Sequence, residues 1–89
     1  MSIGVYVFKN TNDPSATLRL DMRDKYVLFN LKIGGGGYAG SIGHAYATPE
    51  EALVGFCKGS NLFNKDIFFH DRVPDDTIIT SWELVKEEN

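Results

Sequence analysis

A single cysteine, Cys57, and a single tryptophan stand among 89 residues. One cysteine excludes an intramolecular disulfide framework and a cysteine-based zinc finger. Basic side chains are also few: nine Lys and Arg stand against twelve Asp and Glu, for a net charge of −3. An acidic chain is a poor general polyanion binder, because phosphate backbones are recognised by clustered cations. The length leaves room for one domain, which excludes classical kinases, dehydrogenases and P-loop NTPases.

Long apolar runs are missing as well. None approaches the roughly 20 residues that span a membrane. Residues 1–8 lack the basic segment and the long apolar stretch of a signal peptide. With 43% hydrophobic and 24% charged residues, the composition fits a folded globule. We therefore expect a soluble, cytoplasmic protein in which residues 1–89 form a single domain.

Alternating apolar side chains predict three strands in the first third of the chain. A short aromatic and β-branched run predicts the first strand at 3–8. Alternating runs predict two more at 17–22 and 25–33. Because a tight turn separates these two runs, we expect them to pair as an antiparallel hairpin.

The segment Thr48-Pro49-Glu50-Glu51 predicts the start of a helix. Threonine is a favoured N-cap, proline suits the first helical position, and glutamate three residues after the cap completes a capping box. The predicted helix runs over about 49–58 and ends at Gly59. Its apolar stripe consists of Ala52, Leu53, Phe56 and Cys57.

Two further strands are predicted in the last third of the chain, at 66–70 and at 77–86, with a loop over 71–76 between them. Ile78, Trp82 and Leu84 would face the core. The outline predicts an α+β fold: a single small domain with an antiparallel sheet of about five to six strands and one short helix (about 49–58) packed on one face.

Six of the nine glycines lie in the segment Gly34 to Gly43, which contains a literal G-x-G-x-x-G over 35–40. The dinucleotide fingerprint needs a helix at its last glycines, whereas a strand is expected to resume here at 42–47. The P-loop pattern fails because Ser41 follows Gly40 where lysine is required. We therefore predict a mobile hairpin loop between two strands.

Two interpretations of this loop stay open. It is a flexible connection, or it closes on a phosphate or nucleotide by presenting backbone N–H groups to the anion. In the second case the ligand-binding residues are Gly35, Gly37, Tyr38, Gly40, Ser41 and His44.

No catalytic set stands out, so we predict a protein that is not an enzyme and uses no cofactor. Cys57 falls on the apolar stripe near a helix C-terminus, where the thiolate is disfavoured. His70 and Asp71 would point to opposite faces of a strand. Their combination with His44 matches no metal-ligand spacing, and no metal site is predicted. An enzyme using His44 or His70 ranks as the third hypothesis.

Charge is unevenly divided between the two halves of the chain. Residues 1–44 carry five basic and three acidic side chains, and residues 45–89 carry four basic and nine acidic ones. Either the acidic half faces a basic protein partner, or both halves interleave in one sheet and the asymmetry averages out. The acidic surface would consist of Asp66, Asp71, Asp75, Asp76, Glu83 and Glu87.

Eleven aromatic side chains exceed what one small sheet face can bury. Exposed aromatics mark interfaces, and an incompletely covered sheet favours a homodimer. The group of interest is Tyr6, Phe8, Tyr26, Tyr38 and Tyr46. With Arg19, Arg23 and Lys32 nearby, an open sheet face could stack nucleic-acid bases. Direct nucleic-acid binding is the weaker alternative, because the chain is acidic and has no RNP-like motif.

These observations predict a small non-enzymatic binding or inhibitor protein that acts by occupying a partner protein. Small acidic domains of this kind are often encoded by phages or mobile elements, where they inhibit a host protein. The alternative is a protein that binds or sequesters a small phosphate-containing ligand or nucleotide through the Gly34 to Gly43 loop.

Overall fold

The computed structural model describes residues 3–59 and 75–88. Five strands form one sheet in the order β4-β3-β2-β1-β5, and each neighbouring pair is antiparallel. The predicted α+β fold is therefore confirmed. In chain order the elements are β1 (Gly4–Asn10), β2 (Thr17–Met22), β3 (Val27–Ile33), β4 (Gly36–Ile42), α1 (Pro49–Gly59), α2 (Asp75–Ser81) and β5 (Trp82–Glu88).

The first three strands form as the alternation predicts. Leu18, Leu20 and Met22 of β2 are fully buried, while Arg19 between them is exposed. At the turn into β3, the Arg23 amide donates to the Tyr26 carbonyl oxygen at 2.9 Å and closes the hairpin. The two strands then pair from Met22 opposite Val27 to Thr17 opposite Lys32.

Helix α1 begins at the predicted capping box. The Glu51 amide donates to the Thr48 Oγ1 atom at 3.1 Å. In return the Glu51 carboxylate accepts from the amide of Ala47, one residue before the cap, also at 3.1 Å. All four residues of the predicted apolar stripe are buried, so this helix and its orientation are confirmed.

A second helix, α2, replaces the first half of the strand predicted at 77–86. The β-branched run Thr77-Ile78-Ile79-Thr80 favours a strand locally. In the helix, however, Ile78 is fully buried in the core, and Trp82, the residue directly after the helix, is buried as well. The Ser81 hydroxyl donates to the Thr77 carbonyl oxygen at 2.7 Å. Tertiary packing therefore overrides local propensity, and β5 begins at Trp82.

The helices cover one face of the sheet, and together the layers bury one core. Its residues are Tyr6, Phe8, Ala16, Leu18, Leu20, Met22, Val27, Leu31, Ala52, Leu53, Phe56, Cys57, Ile78 and Trp82. Leu84 was predicted to face the core but is 41% exposed near the end of the sheet. The strand predicted at 66–70 lies outside the described residues.

Candidate protein-docking edge

The glycine-rich segment is a strand, and the prediction of a mobile loop over 34–43 is wrong for most of its length. Residues 36–42 form β4, which pairs with β3 from Gly36 opposite Ile33 to Ile42 opposite Val27. The loop shrinks to the two residues Gly34 and Gly35. Gly34 alone of the two has a positive φ, 57°, which matches a type II′ hairpin turn.

Phe29 of β3 fills the space that the missing side chain of Gly40 leaves. A Cβ atom at Gly40 would stand 2.9 Å from the Phe29 Cζ atom, so the ring lies directly over the glycine. The same ring packs on Phe56 of α1 with centroids 4.9 Å apart. An aromatic ring across from a glycine stabilises the pairing of an otherwise weak strand.

The strand ends at Ile42, whereas it was predicted to resume over 42–47. The His44 amide donates to the Ile42 carbonyl oxygen at 2.8 Å. This tight turn carries the chain out of the sheet, and residues 43–48 form no strand. Tyr46 then lies against α1, where its ring occupies the space beside Gly55.

The outer edge of β4 presents backbone groups that no described strand pairs. In a hairpin with a two-residue turn, Ile33 and Gly36 form a hydrogen-bonded pair, and bonding alternates from there. Gly36, Tyr38, Gly40 and Ile42 therefore bond to β3. The N–H and C=O groups of Gly37, Ala39 and Ser41 point to the free edge. All three residues are exposed, and their side chains are small.

The opposite edge, β5, carries the features that block sheet extension. It contains Lys86 and three glutamates, and its pairing with β1 is interrupted by a bulge opposite Val7 and Phe8. Lys86 also forms an ion pair with Glu88 at 2.8 Å. Charges and bulges protect a sheet edge against pairing with another chain. In contrast, β4 has no charged residue, no proline and no bulge over its seven residues.

The six residues predicted to bind a small ligand do not converge on one point. In β4, consecutive amides point alternately to β3 and to the free edge, so they form no anion-binding nest. Tyr38 and Gly40 share the helix-covered face, Gly37 and Ser41 the other face, while Gly35 lies in the turn and His44 beyond the strand. A ligand role for these residues stays a prediction, without the loop geometry that motivated it.

A shallow cleft of about 430 Å³ lies beside the end of β4. It is lined by His44, Tyr46, Glu50, Glu51, Val54, Gly55 and Ile79. The His44 and Tyr46 rings meet edge to face with centroids 4.5 Å apart. Burial raises the pKa of the Tyr46 hydroxyl. Glu51 is already engaged in capping α1, so this cleft holds no free pair of carboxylates for acid–base chemistry.

The acidic residues that the structure describes do not form one surface. Glu83 and Glu87 are exposed on opposite faces of β5. Glu83 lies opposite Lys9, which is exposed, whereas Glu87 lies opposite Tyr6, which is buried on the helix-covered face. Asp76 is exposed near the start of α2. Since β5 of the acidic half pairs with β1 of the basic half, the two halves interleave. Asp66, Asp71 and the side chain of Asp75 lie outside the described residues.

The aromatic group also divides. Tyr6 and Phe8 are buried in the core, which removes them from any open face. Tyr26 and Tyr38 are exposed, but Tyr26 lies in the turn before β3, whereas Tyr38 lies on the helix-covered face of β4. Arg23 is engaged by Asp21, with both N···O distances at 2.7 Å, and this contact lowers the pKa of the Asp21 carboxyl. These residues provide no stack of aromatics for nucleic-acid bases.

Cys57 is buried, as the apolar stripe predicts, and burial raises the pKa of its thiol to about 12. Within residues 3–59 and 75–88, no three His, Cys, Asp or Glu side chains come together as metal ligands. His70 lies outside those ranges. No helix in the described part of the chain is long and apolar enough to cross a bilayer.

Compared with protein-family models, with curated proteins and with solved structures, the chain shows no match. Sequence reasoning missed the free edge of β4, because glycines carry no alternating pattern. The one available signal for β4 was the alternating pattern of β3. A strand that pairs with β2 on one side has a second side, on which the segment after the two-glycine turn can pair.

Proposed function

We propose that this protein is a non-enzymatic binding protein that acts by occupying a partner protein, and that the partner docks as an added strand along β4. The observation that carries the proposal is the free edge of β4: an uncharged, exposed strand whose amides and carbonyls at Gly37, Ala39 and Ser41 face outward. Sheet extension is a recurrent mode of peptide and protein recognition.

The side chains along this edge suit the close approach of another backbone. Gly37, Ala39 and Ser41 place little bulk on the open face, so a partner strand meets no steric barrier. Tyr38, 47% exposed on the other face, provides an aromatic contact for a partner side chain. Main-chain hydrogen bonds then supply affinity, and Tyr38 supplies selectivity.

The proposal is tested with Ala39→Pro and the matched control Ala39→Ser. Proline at 39 removes an outward N–H without removing a hydrogen bond to β3. Serine keeps the N–H and is nearly as small. Wild type and both variants are used to capture partners from a lysate of the source cells, and each captured protein is then purified for affinity measurement.

We expect one captured protein to bind wild type and Ala39→Ser equally, and Ala39→Pro at least about tenfold more weakly. Equal affinity for Ala39→Pro, with its fold intact by circular dichroism, would overturn docking at β4. Binding that survives Ala39→Pro but disappears at high salt would also overturn it, and would assign the contact to the acidic residues.

A further inference from the structure

We propose that a second copy of this chain occupies the same edge when no other partner is bound, with β4 pairing antiparallel to β4 of the other copy about a twofold axis at Ala39. This inference rests on the proposed function, because it uses the same edge of β4. It states what binds at that edge when the purified protein is alone. Each sheet then continues into the next, giving ten strands across the dimer.

The hydrogen-bonding groups of the edge fit this register. Residues that face outward must pair with outward-facing residues of the second copy. Pairing about Ala39 sets Ala39 opposite itself and sets Gly37 opposite Ser41 twice. The outward-facing N–H and C=O groups of all three residues in each copy are then paired, which gives about six backbone hydrogen bonds between the copies.

The side chains are self-complementary in the same register. The larger side chains of β4, Tyr38 and Ile42, fall opposite Gly40 and Gly36 of the other copy. These are non-hydrogen-bonded pairs, in which side chains approach most closely. Tyr38 would therefore reach the Phe29 ring of the other copy, which lies over Gly40 on the same face of the sheet.

Shifted registers are poorer because they lose overlap. Moving one copy by two residues in either direction reduces the overlap of the two seven-residue strands to about five residues. Two of the three outward-facing pairs then remain, so the backbone hydrogen bonds between the copies fall from about six to about four.

Charge does not oppose the pairing, although each chain has a net charge of −3. β4 carries no charged side chain. The neighbouring cation on β3, Lys32, lies opposite Gly37, near one end of the paired β4 strands. The two copies of Lys32 would stand about 20 Å apart, as calculated from strand spacing and rise. That separation exceeds the screening length at physiological salt.

Cysteine cross-linking tests the register. Cys57 is buried, so an introduced cysteine is the reactive thiol. Under a mild oxidant we expect Ala39→Cys to form a disulfide-linked dimer. We expect Gly37→Cys and Ser41→Cys to remain monomeric alone, because each lies about 13 Å along the strand from its own mate. Mixed together, these two variants should cross-link with each other.

Sedimentation of the purified protein tests the association itself. We expect wild type to shift from monomer to dimer as its concentration rises to about 0.5 mM, and Ala39→Pro to remain monomeric. Monomeric wild type over this range would overturn the inference. Cross-linking of Gly37→Cys with itself at the rate of Ala39→Cys would overturn the register.

Different results would overturn partner docking at β4 and self-pairing of β4. Monomeric wild type together with a partner that is lost in Ala39→Pro would overturn self-pairing and leave the proposed function intact. A dimer abolished by Ala39→Pro, together with partner binding that this variant does not affect, would overturn docking at β4 and leave self-pairing intact.

Discussion

At the residue scale, the thiol of Cys57 lies between α1 and Trp82, and its pKa is raised to about 12 by burial. We expect no reaction with thiol reagents in the folded protein and full reaction in denaturant. The unfolded thiol ionises near its ordinary pKa of 9.0, whereas the folded thiol stays protonated. The free energy of unfolding should therefore fall as pH rises from 9 toward 12.

The variant Cys57→Ala is the control for this pH dependence. It lacks the titrating thiol, so its free energy of unfolding should fall less steeply over the same range in urea titrations. Rapid labelling of native wild type at pH 8 would contradict the buried position of the thiol.

Single residues with strong local chemistry were predictable from the sequence. Thr48 and Glu51 cap α1 because their side chains bond to nearby amides, whatever the rest of the fold does. Gly40 was not predictable in this way. Its role depends on the ring of Phe29, eleven residues away in the chain, which reaches it because β3 and β4 pair.

At the element scale, the turn between β3 and β4 requires glycine at one of its two positions. Gly34 has a φ of 57°, and Gly35 has no positive φ. We expect Gly34→Ala to lower the free energy of unfolding by about 1–2 kcal/mol, because a Cβ atom disfavours this conformation. Gly35→Ala is the matched control, since a Cβ atom there meets nothing within 4 Å.

Urea unfolding of both variants measures the difference. Gly35→Ala should be neutral or slightly stabilising, because alanine restricts the unfolded chain. Equal losses in the two variants would contradict the assigned turn.

Helices and strands were predictable from the sequence where the order of apolar and polar residues matches the burial of their side chains. The elements without such a match were not predictable. In β3, buried or half-buried side chains alternate with exposed ones, and Leu28 is the one apolar side chain at an exposed position. In β4 the glycines give no such pattern, and the strand forms because β3 offers a second pairing side. In α2 the β-branched residues favour a strand locally, but packing of Ile78 against the core makes the segment helical.

At the scale of the whole molecule, the two edge strands of the sheet differ in charge and regularity. The edge strand β5 carries charges and a bulge, whereas the edge strand β4 is uncharged and regular. In the part of the chain that the structure describes, one edge is protected and the other is not, and the proposed docking by sheet extension therefore uses the β4 edge. The acidic charge of the sequence predicts a partner-binding protein. The docking mode that we propose, backbone pairing along β4, depends on strand order and is not visible in composition.

The most direct measurement is amide hydrogen exchange along β4, followed residue by residue. In dilute protein we expect slow exchange at Tyr38, Gly40 and Ile42, which bond to β3, and fast exchange at Gly37, Ala39 and Ser41. At high protein concentration, or with a bound partner, the second set should become slow as well. Slow exchange of that set in dilute monomer, or fast exchange that persists in the complex, would contradict docking at this edge.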